Sequence, residues 1–259
     1  MPATIIPTHA VRFRISVLVW PSPALLPDPF PIRVMHISIA DQSLLLLPQH
    51  ALYWPAQRLL AVADIHFGKA ASFRALGVPV PAGTTTQNLA QLDAMLATHA
   101  VDHVVFLGDF LHARAAHASA TMAVIRRWRL RHPALRLTLV RGNHDDRAGD
   151  PPSDLAIDIV DEPHVMTPFA FCHHPQHSSL GHVVAGHVHP VYRLATGSDS
   201  VRLPCFVVGE RCSLLPSFGA FTGGHAVTHG DGERLFVVAE DRVFAVPTPA
   251  PRRPKFRAR

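Results

Sequence analysis

The stretch Asp102–Phe110, D-H-V-V-F-L-G-D-F, decides how the rest of the chain is read. Four consecutive apolar residues, Val104, Val105, Phe106 and Leu107, predict a short strand buried on both faces. Gly108 lets the chain turn sharply where the run stops, so the carboxylate of Asp109 projects from the C-terminal edge of the strand. A carboxylate has two oxygens and can bridge two cations. Asp109 is the expected centre of such a site, with the remaining donors delivered by other segments.

Working outward, residues 37–47 and 58–63 predict strands. Residues 68–76 predict a helix closed by Gly77, and 84–98 a helix with Leu89, Leu92 and Leu96 on its buried face. A second amphipathic helix over 119–131 is stopped by Pro133, and 135–140 is again strand-like. From residue 155 the pattern becomes short strands: 155–160, 170–172, 183–185, 201–208, 235–239 and 243–246. The alternation of strands and helices in the first half defines an α/β domain with a β-rich second half. The expected domain spans 35–247. Residues 1–34 are proline-rich without periodicity and predict a poorly ordered extension; 248–259 predict a basic, disordered tail.

Composition narrows the functional classes. At 259 residues and 48% hydrophobic content the chain can bury a large core. No apolar run approaches the roughly 20 residues of a membrane-spanning helix. The short apolar run at 15–20 is followed by prolines without a clean cleavage site. Cys172, Cys205 and Cys212 form no paired motif, which fits reduced thiols and a cytoplasmic setting. The net charge of +5 sits in the ends, because the tail 251–259 alone holds five basic residues and no acid. Residues 35–250 carry 16 basic against 18 acidic residues, so the body lacks a strong basic footprint.

Several predicted strands end in groups of ligand type. Asp64-Ile65-His66 follows 59–63, Gly108-Asp109 follows 104–107, and Gly142-Asn143-His144-Asp145 follows 135–140. His173-His174 follows 170–172, and Gly186-His187-Val188-His189 follows 183–185. Strand ends facing one edge of a sheet bring distant residues into one pocket. The donors are oxygen and imidazole nitrogen without thiolate, a set that suits Mn, Fe, Zn or Co. The chain holds 19 histidines, but a chance match at all five required places is on the order of one in a million as a template match.

This ordered set resembles the calcineurin-like metallophosphoesterase superfamily, whose blocks are D-x-H, G-D, G-N-H-[DE], H and G-H-x-H. The resemblance implies a four-layer α/β/β/α sandwich of two mixed sheets flanked by helices. It also implies two divalent metal ions, one held by Asp64, His66, Asp109 and His189, the other by Asp109, Asn143, His173 and His187. His144 would be the catalytic residue beside the phosphate. The pair His173-His174 leaves the ligand ambiguous; His173 is favoured because it directly follows the strand. The runs at 63–84 and 215–224 further resemble the bacterial ligase-associated DNA damage response phosphoesterases. That resemblance implies a Mn2+-dependent DNA endonuclease acting on single-stranded or flapped DNA in repair, alongside a helicase, an exonuclease and an ATP-dependent ligase.

Lys69, Arg74 and His112 lie close enough in sequence to these blocks to be candidate substrate contacts. His9, His36, His50, His99, His132 and His229 sit in no site-like context and read as surface or satisfied core residues. Two rival functions remain in view: the same chemistry on a nucleotide or other small phosphoester, and a non-catalytic scaffold.

Overall fold

The computed structural model describes residues 34–248 other than 76, 81, 82, 197, 198 and 221. The expected extension and basic tail lie outside these residues, apart from Val34 and Thr248. Seven strands make the first sheet: β1 (Met35–Ile39), β2 (Gln42–Leu47), β3 (Ala51–Trp54), β4 (Leu59–Ala63), β5 (His103–Leu107), β6 (Arg136–Val140) and β7 (Asp158–Val160). They pair in chain order, antiparallel from β1 to β4 and parallel from β4 to β7. Helices α1 (Lys69–Ala75), α2 (Thr84–Thr98), α3 (Ser119–Arg131) and α4 (Asn143–Ala148) occupy the connections after β4, β5 and β6.

The second sheet has nine strands: β8 (His164–Met166), β9 (Phe169–Phe171), β10 (His182–Ala185), β11 (Pro190–Thr196), β12 (Asp199–Val208), β13 (Cys212–Leu214), β14 (His225–Val227), β15 (Arg234–Ala239) and β16 (Arg242–Ala245). β9 and β10 are parallel neighbours, and β11 with β12 forms a long antiparallel hairpin.

The period of two along the central strands explains the layering. Leu60, Val62, Val104, Phe106, Leu137 and Leu139 pack beneath Leu89, Leu92 and Met95 of α2 and Met122, Ile125 and Trp128 of α3. Their neighbours Leu59, Ala61, Ala63, Val105, Leu107 and Val140 face Phe169, Phe171, Val184, Phe206 and Phe236 of the second sheet. β5 is therefore buried on both faces, and its side chains divide between a helix-facing and a sheet-facing core. Two mixed sheets with flanking helices are the expected α/β arrangement. Among the described residues, α2 and α3 lie on the first sheet.

The parallel pairing fixes the location of the site. The C-terminal ends of β4, β5 and β6 lie side by side, and so do those of β9 and β10. Residues 215–219 stitch the two edges together. Leu215 N–H donates to the Ala185 carbonyl at 2.9 Å, and Phe218 N–H to the Ala63 carbonyl at 2.8 Å. The Ser217 hydroxyl donates to the Asp64 carbonyl at 3.0 Å.

Candidate metal centre

The turns leaving these strands hold an unusual backbone. Asp64 (φ 54°), His66 (φ 47°), Asp109 (φ 50°), His187 (φ 66°) and His189 (φ 49°) all lie in the left-handed region. Each such non-glycine residue costs roughly 1–2 kcal/mol, a penalty that recurs at functional sites. The reversal bends each chain end so that alternate side chains converge. Glycine permits the accompanying close approach: a Cβ on Gly142 would lie 2.6 Å from both N and Oδ1 of Asp109, and one on Gly108 would overlap the His173 ring.

Ligand-type atoms of Asp64, His66, Asp109 and His189 lie within 4.8 Å of one another. His66 Nε2 is 3.5 Å from Asp109 Oδ2, and His189 Nε2 is 3.5 Å from Asp64 Oδ1. A second set meets at the other oxygen of Asp109. His173 Nε2 lies 3.5 Å from Asp109 Oδ1, 2.9 Å from Asn143 Oδ1 and 3.0 Å from His187 Nδ1. His144 and His112 form a third group with His66. Their rings stack at 5.1 Å and 22°, and His144 Nδ1 bonds the His112 carbonyl at 2.8 Å.

Tautomers follow from the backbone acceptors. His173 Nδ1 faces the Leu107 carbonyl at 3.1 Å and His189 Nδ1 the Thr222 carbonyl at 3.0 Å, so each carries its proton there and turns an Nε2 lone pair inward. The lone pair of His173 then confronts the oxygen of Asn143, and that of His189 confronts Asp64 Oδ1. Asp64 Oδ1 and both ring nitrogens of His66 are buried without a hydrogen-bond partner. Unpaired buried acceptors that face one another are costly without an electrophile between them, and divalent cations suit this all-oxygen and imidazole set.

The electrostatics agree with that reading. Burial first, then the charges of Lys69 and His144, push the His66 ring far below the ordinary histidine range. Burial, then Lys69 and His144, lower His112 to about 4. Burial, followed by His173 and His174, lowers His187. The lowered values favour the neutral rings, the form His66 and His187 need as ligands. His189 goes the other way: burial lowers it, but the carboxylate of Asp64 3.5 Å from Nε2 outweighs burial and the net direction is upward in the absence of a cation.

Two supporting carboxylates escaped the sequence reading. Asp145 Oδ1 accepts from Phe110 N–H at 2.9 Å and Leu111 N–H at 3.2 Å, while Oδ2 accepts from Gly142 N–H at 3.0 Å. One side chain thus ties the end of β5 to the end of β6. Its place as the last residue of G-N-H-D was the available signal. Glu162 has no motif to mark it. Its Oε2 accepts from the backbone N–H groups of His173 and His174, and its Oε1 lies 2.8 Å from His174 Nδ1.

Of the adjacent histidine pair, His173 is fully buried in the convergence, whereas the His174 side chain is 43% exposed and paired with Glu162. Lys69 is half-buried; burial lowers its pKa against the opposing charges of Asp109 and Asp64. Arg74 is exposed in the last turn of α1, its guanidinium 3.5 Å from the Val80 carbonyl.

Two mixed sheets whose facing edges gather two sets of hard donors around one shared aspartate define a metal-dependent phosphoesterase. The chain belongs to the calcineurin-like phosphoesterase family, which residues 57–179 match. It is similar to the crystal structure of the nuclease MPE of Pseudomonas putida, with 48% identity over 83% of this chain and all of that one, at a TM-score of 0.75. A protein of unknown function from Aquifex aeolicus (19% identity, 51% of this chain and 78% of that one, TM-score 0.35) lies much further away. So does a phosphoesterase from E. coli (15% identity, 68% and 86%, TM-score 0.33). No curated protein matches. The family implies a dimetal site, and the donor sets fit it.

Proposed function

We propose that this protein is a dimetal phosphodiesterase that cuts single-stranded or flapped DNA endonucleolytically, with Mn2+ as its working metal. Its setting would be DNA repair in the cytoplasm, alongside the ligase, helicase and exonuclease implied by the sequence resemblance. One observation carries the chemistry: Asp109 presents one oxygen to the His66 side and the other to the Asn143–His173–His187 side. The nuclease neighbour supports a nucleic-acid substrate.

Asp64, His66, Asp109 and His189 would hold one cation, and Asp109, Asn143, His173 and His187 the other. When bound, such a pair supplies Lewis acidity, acidifying water and neutralising phosphoryl oxygens. The chain's own groups do the rest. His144 N–H donates to Asp109 Oδ1 at 2.9 Å, a charge-assisted bond that holds the shared carboxylate in place. His144 Nδ1 donates a hydrogen bond to the His112 carbonyl, so Nε2 is the atom left to face the substrate, and it would carry the second proton of an imidazolium to contact a phosphoryl oxygen or protonate the leaving oxygen. Lys69, close enough to feel both aspartates, places a cation beside the phosphoryl group.

The slightly acidic body favours a second reading, a nucleotide or other small phosphoester as substrate. One experiment separates these functions. Hydrolysis of bis-p-nitrophenyl phosphate and of a labelled single-stranded oligonucleotide is followed with Mn2+ for wild type, Asp109→Ala and His144→Ala. Cleavage of both substrates, lost in both variants, is expected. Cleavage of the small diester alone moves the substrate to a nucleotide. Cleavage of neither by metal-replete protein leaves a scaffold and ends the proposal.

A further inference from the structure

A cleft of about 290 Å3 opens directly beside the metal centre, between the β11–β12 hairpin and residues 216–220, 222 and 223. His189 forms part of its wall, so one face of the cleft is the back of a proposed ligand. Pro190, Pro204 and Pro216 give it apolar ring surfaces, and the described lining residues include no Lys, Arg, Asp or Glu. Such a volume lies at the lower end of small-ligand sites, roughly 300–1,000 Å3. Without a cation in its described lining, the cleft gives a phosphate no opposite charge to pair with. It suits the uncharged part of a substrate whose phosphate is held next door.

Beside the proline rings the described lining carries four polar side chains, His50, His189, Ser217 and Thr222, and of the two histidines His50 is the one outside the metal centre. It occupies the β2–β3 turn in the left-handed conformation, φ 63°, where asparagine or glycine is the commoner choice. Its Nδ1 lies 2.9 Å from the Ser217 carbonyl and donates to it, which leaves the Nε2 lone pair as an acceptor. Burial, against the opposing Ser217 hydrogen bond, holds the ring below its usual range and therefore neutral at pH 7. A histidine that reads as ordinary in the sequence thus becomes a hydrogen-bonding residue of the cleft wall.

We infer that this cleft is a nucleoside subsite: the base flanking the scissile phosphate packs against the proline rings, and His50 Nε2 accepts a hydrogen bond from it. Each of the four bases has a π-face to pack and at least one N–H to donate, so the subsite would tolerate every sequence. The inference rests on the phosphodiesterase reading and adds where the strand lies. It runs from the metals past His189 toward the β11–β12 hairpin.

The test uses the metal-loaded protein and two variants, each checked for an unchanged thermal midpoint. Ala220→Trp fills the exposed mouth of the cleft, and His50→Ala removes the acceptor. The expected result is a loss of about tenfold or more in kcat/KM on a single-stranded oligonucleotide for Ala220→Trp. For His50→Ala, KM should rise about fivefold with kcat little changed, the scale of one lost hydrogen bond. Hydrolysis of bis-p-nitrophenyl phosphate, which has no N–H to donate to His50, stays within about twofold in His50→Ala. Oligonucleotide cleavage at the wild-type rate in both variants overturns the inference and leaves the phosphodiesterase standing. Equal loss on both substrates in His50→Ala also overturns it, since the change would then lie in the metal centre. Wild type that cleaves only the small diester defeats the DNA reading itself.

Discussion

Asp109 carries more of the site than any other residue. Oδ2 faces His66, and Oδ1 faces His173 while accepting the His144 N–H. Exchanging one oxygen for an amide leaves the shape but removes the charge and half of the bridge. Asp109→Asn should therefore lose on the order of 10^3 in kcat/KM on a small diester, with little change in the thermal midpoint of chelator-treated protein. Steady-state kinetics beside differential scanning fluorimetry checks both halves. The adjacent histidines allow a sharper contrast. His173 is sealed among Leu107, Asn143, Asp109 and His187, whereas His174, whose ring shares the cluster of His173 and His187, is partly exposed and engaged by Glu162. His173→Ala should lower the metal content from two ions per chain toward one, and His174→Ala should leave it at two. Metal analysis of the dialysed proteins gives the answer, and the reverse pattern would reassign the ligand.

At the scale of elements, the site depends on two loops that touch. Gly142 at the end of β6 sits against Asp109 at the end of β5, and Asp145 straps them together. A methyl group on Gly142 must push the Asp109 backbone, which cannot rotate away. Gly142→Ala should cost about 1–3 kcal/mol in denaturant unfolding and displace Asp109 enough to abolish turnover. The elements differ in how legible they were. β4, β5 and β6 were plain in the sequence because strands buried on both faces read as unbroken apolar runs, and the ligand blocks stand at their ends. The first sheet's entry was not. Residues 37–47, which read as one strand, form the hairpin β1–β2 around Ala40 and Asp41, both left-handed with φ 49° and 60°. Neither residue is glycine, so the usual turn signal was missing. β3, β8, β11, β13 and β14 also passed unread, being short or lacking alternation. The six-residue α4 is too short for periodicity and is started by Asp145 reaching back to Gly142. His50 and Glu162 owe their places to contacts with residues more than ten positions away, 167 in the case of His50 and Ser217. No local pattern records such contacts.

The whole molecule joins its two sheets through the same edge that gathers the donors. Ions held by the proposed ligands would tie β4, β5 and β6 to β9 and β10, and would bind the folded chain alone. Saturating Mn2+ at about 100 times its dissociation constant should therefore add roughly 2.7 kcal/mol of stability, read as a rise in thermal midpoint that a chelator reverses. The opposite edge answers to protons instead. His103, at the start of β5, is buried with Nε2 2.9 Å from Thr138 Oγ1. Burial first, then the neighbouring charges of Arg136 and His164, lower its pKa to about 4 from 6.5. The unfolded chain takes up this proton near pH 6.5, whereas the folded chain resists it until about pH 4. His103 thus contributes stability in full above pH 6.5, and the contribution drains away as the pH falls between those values, on the order of 3 kcal/mol in all. Other buried histidines add to the same slope, so the test is a difference. His103→Gln keeps a hydrogen-bonding partner for Thr138 but does not titrate. Urea midpoints at pH 7 and pH 4.5 should converge more closely in this variant than in wild type, and an unchanged slope would mean that His103 is already protonated, or hydrated, in the folded chain.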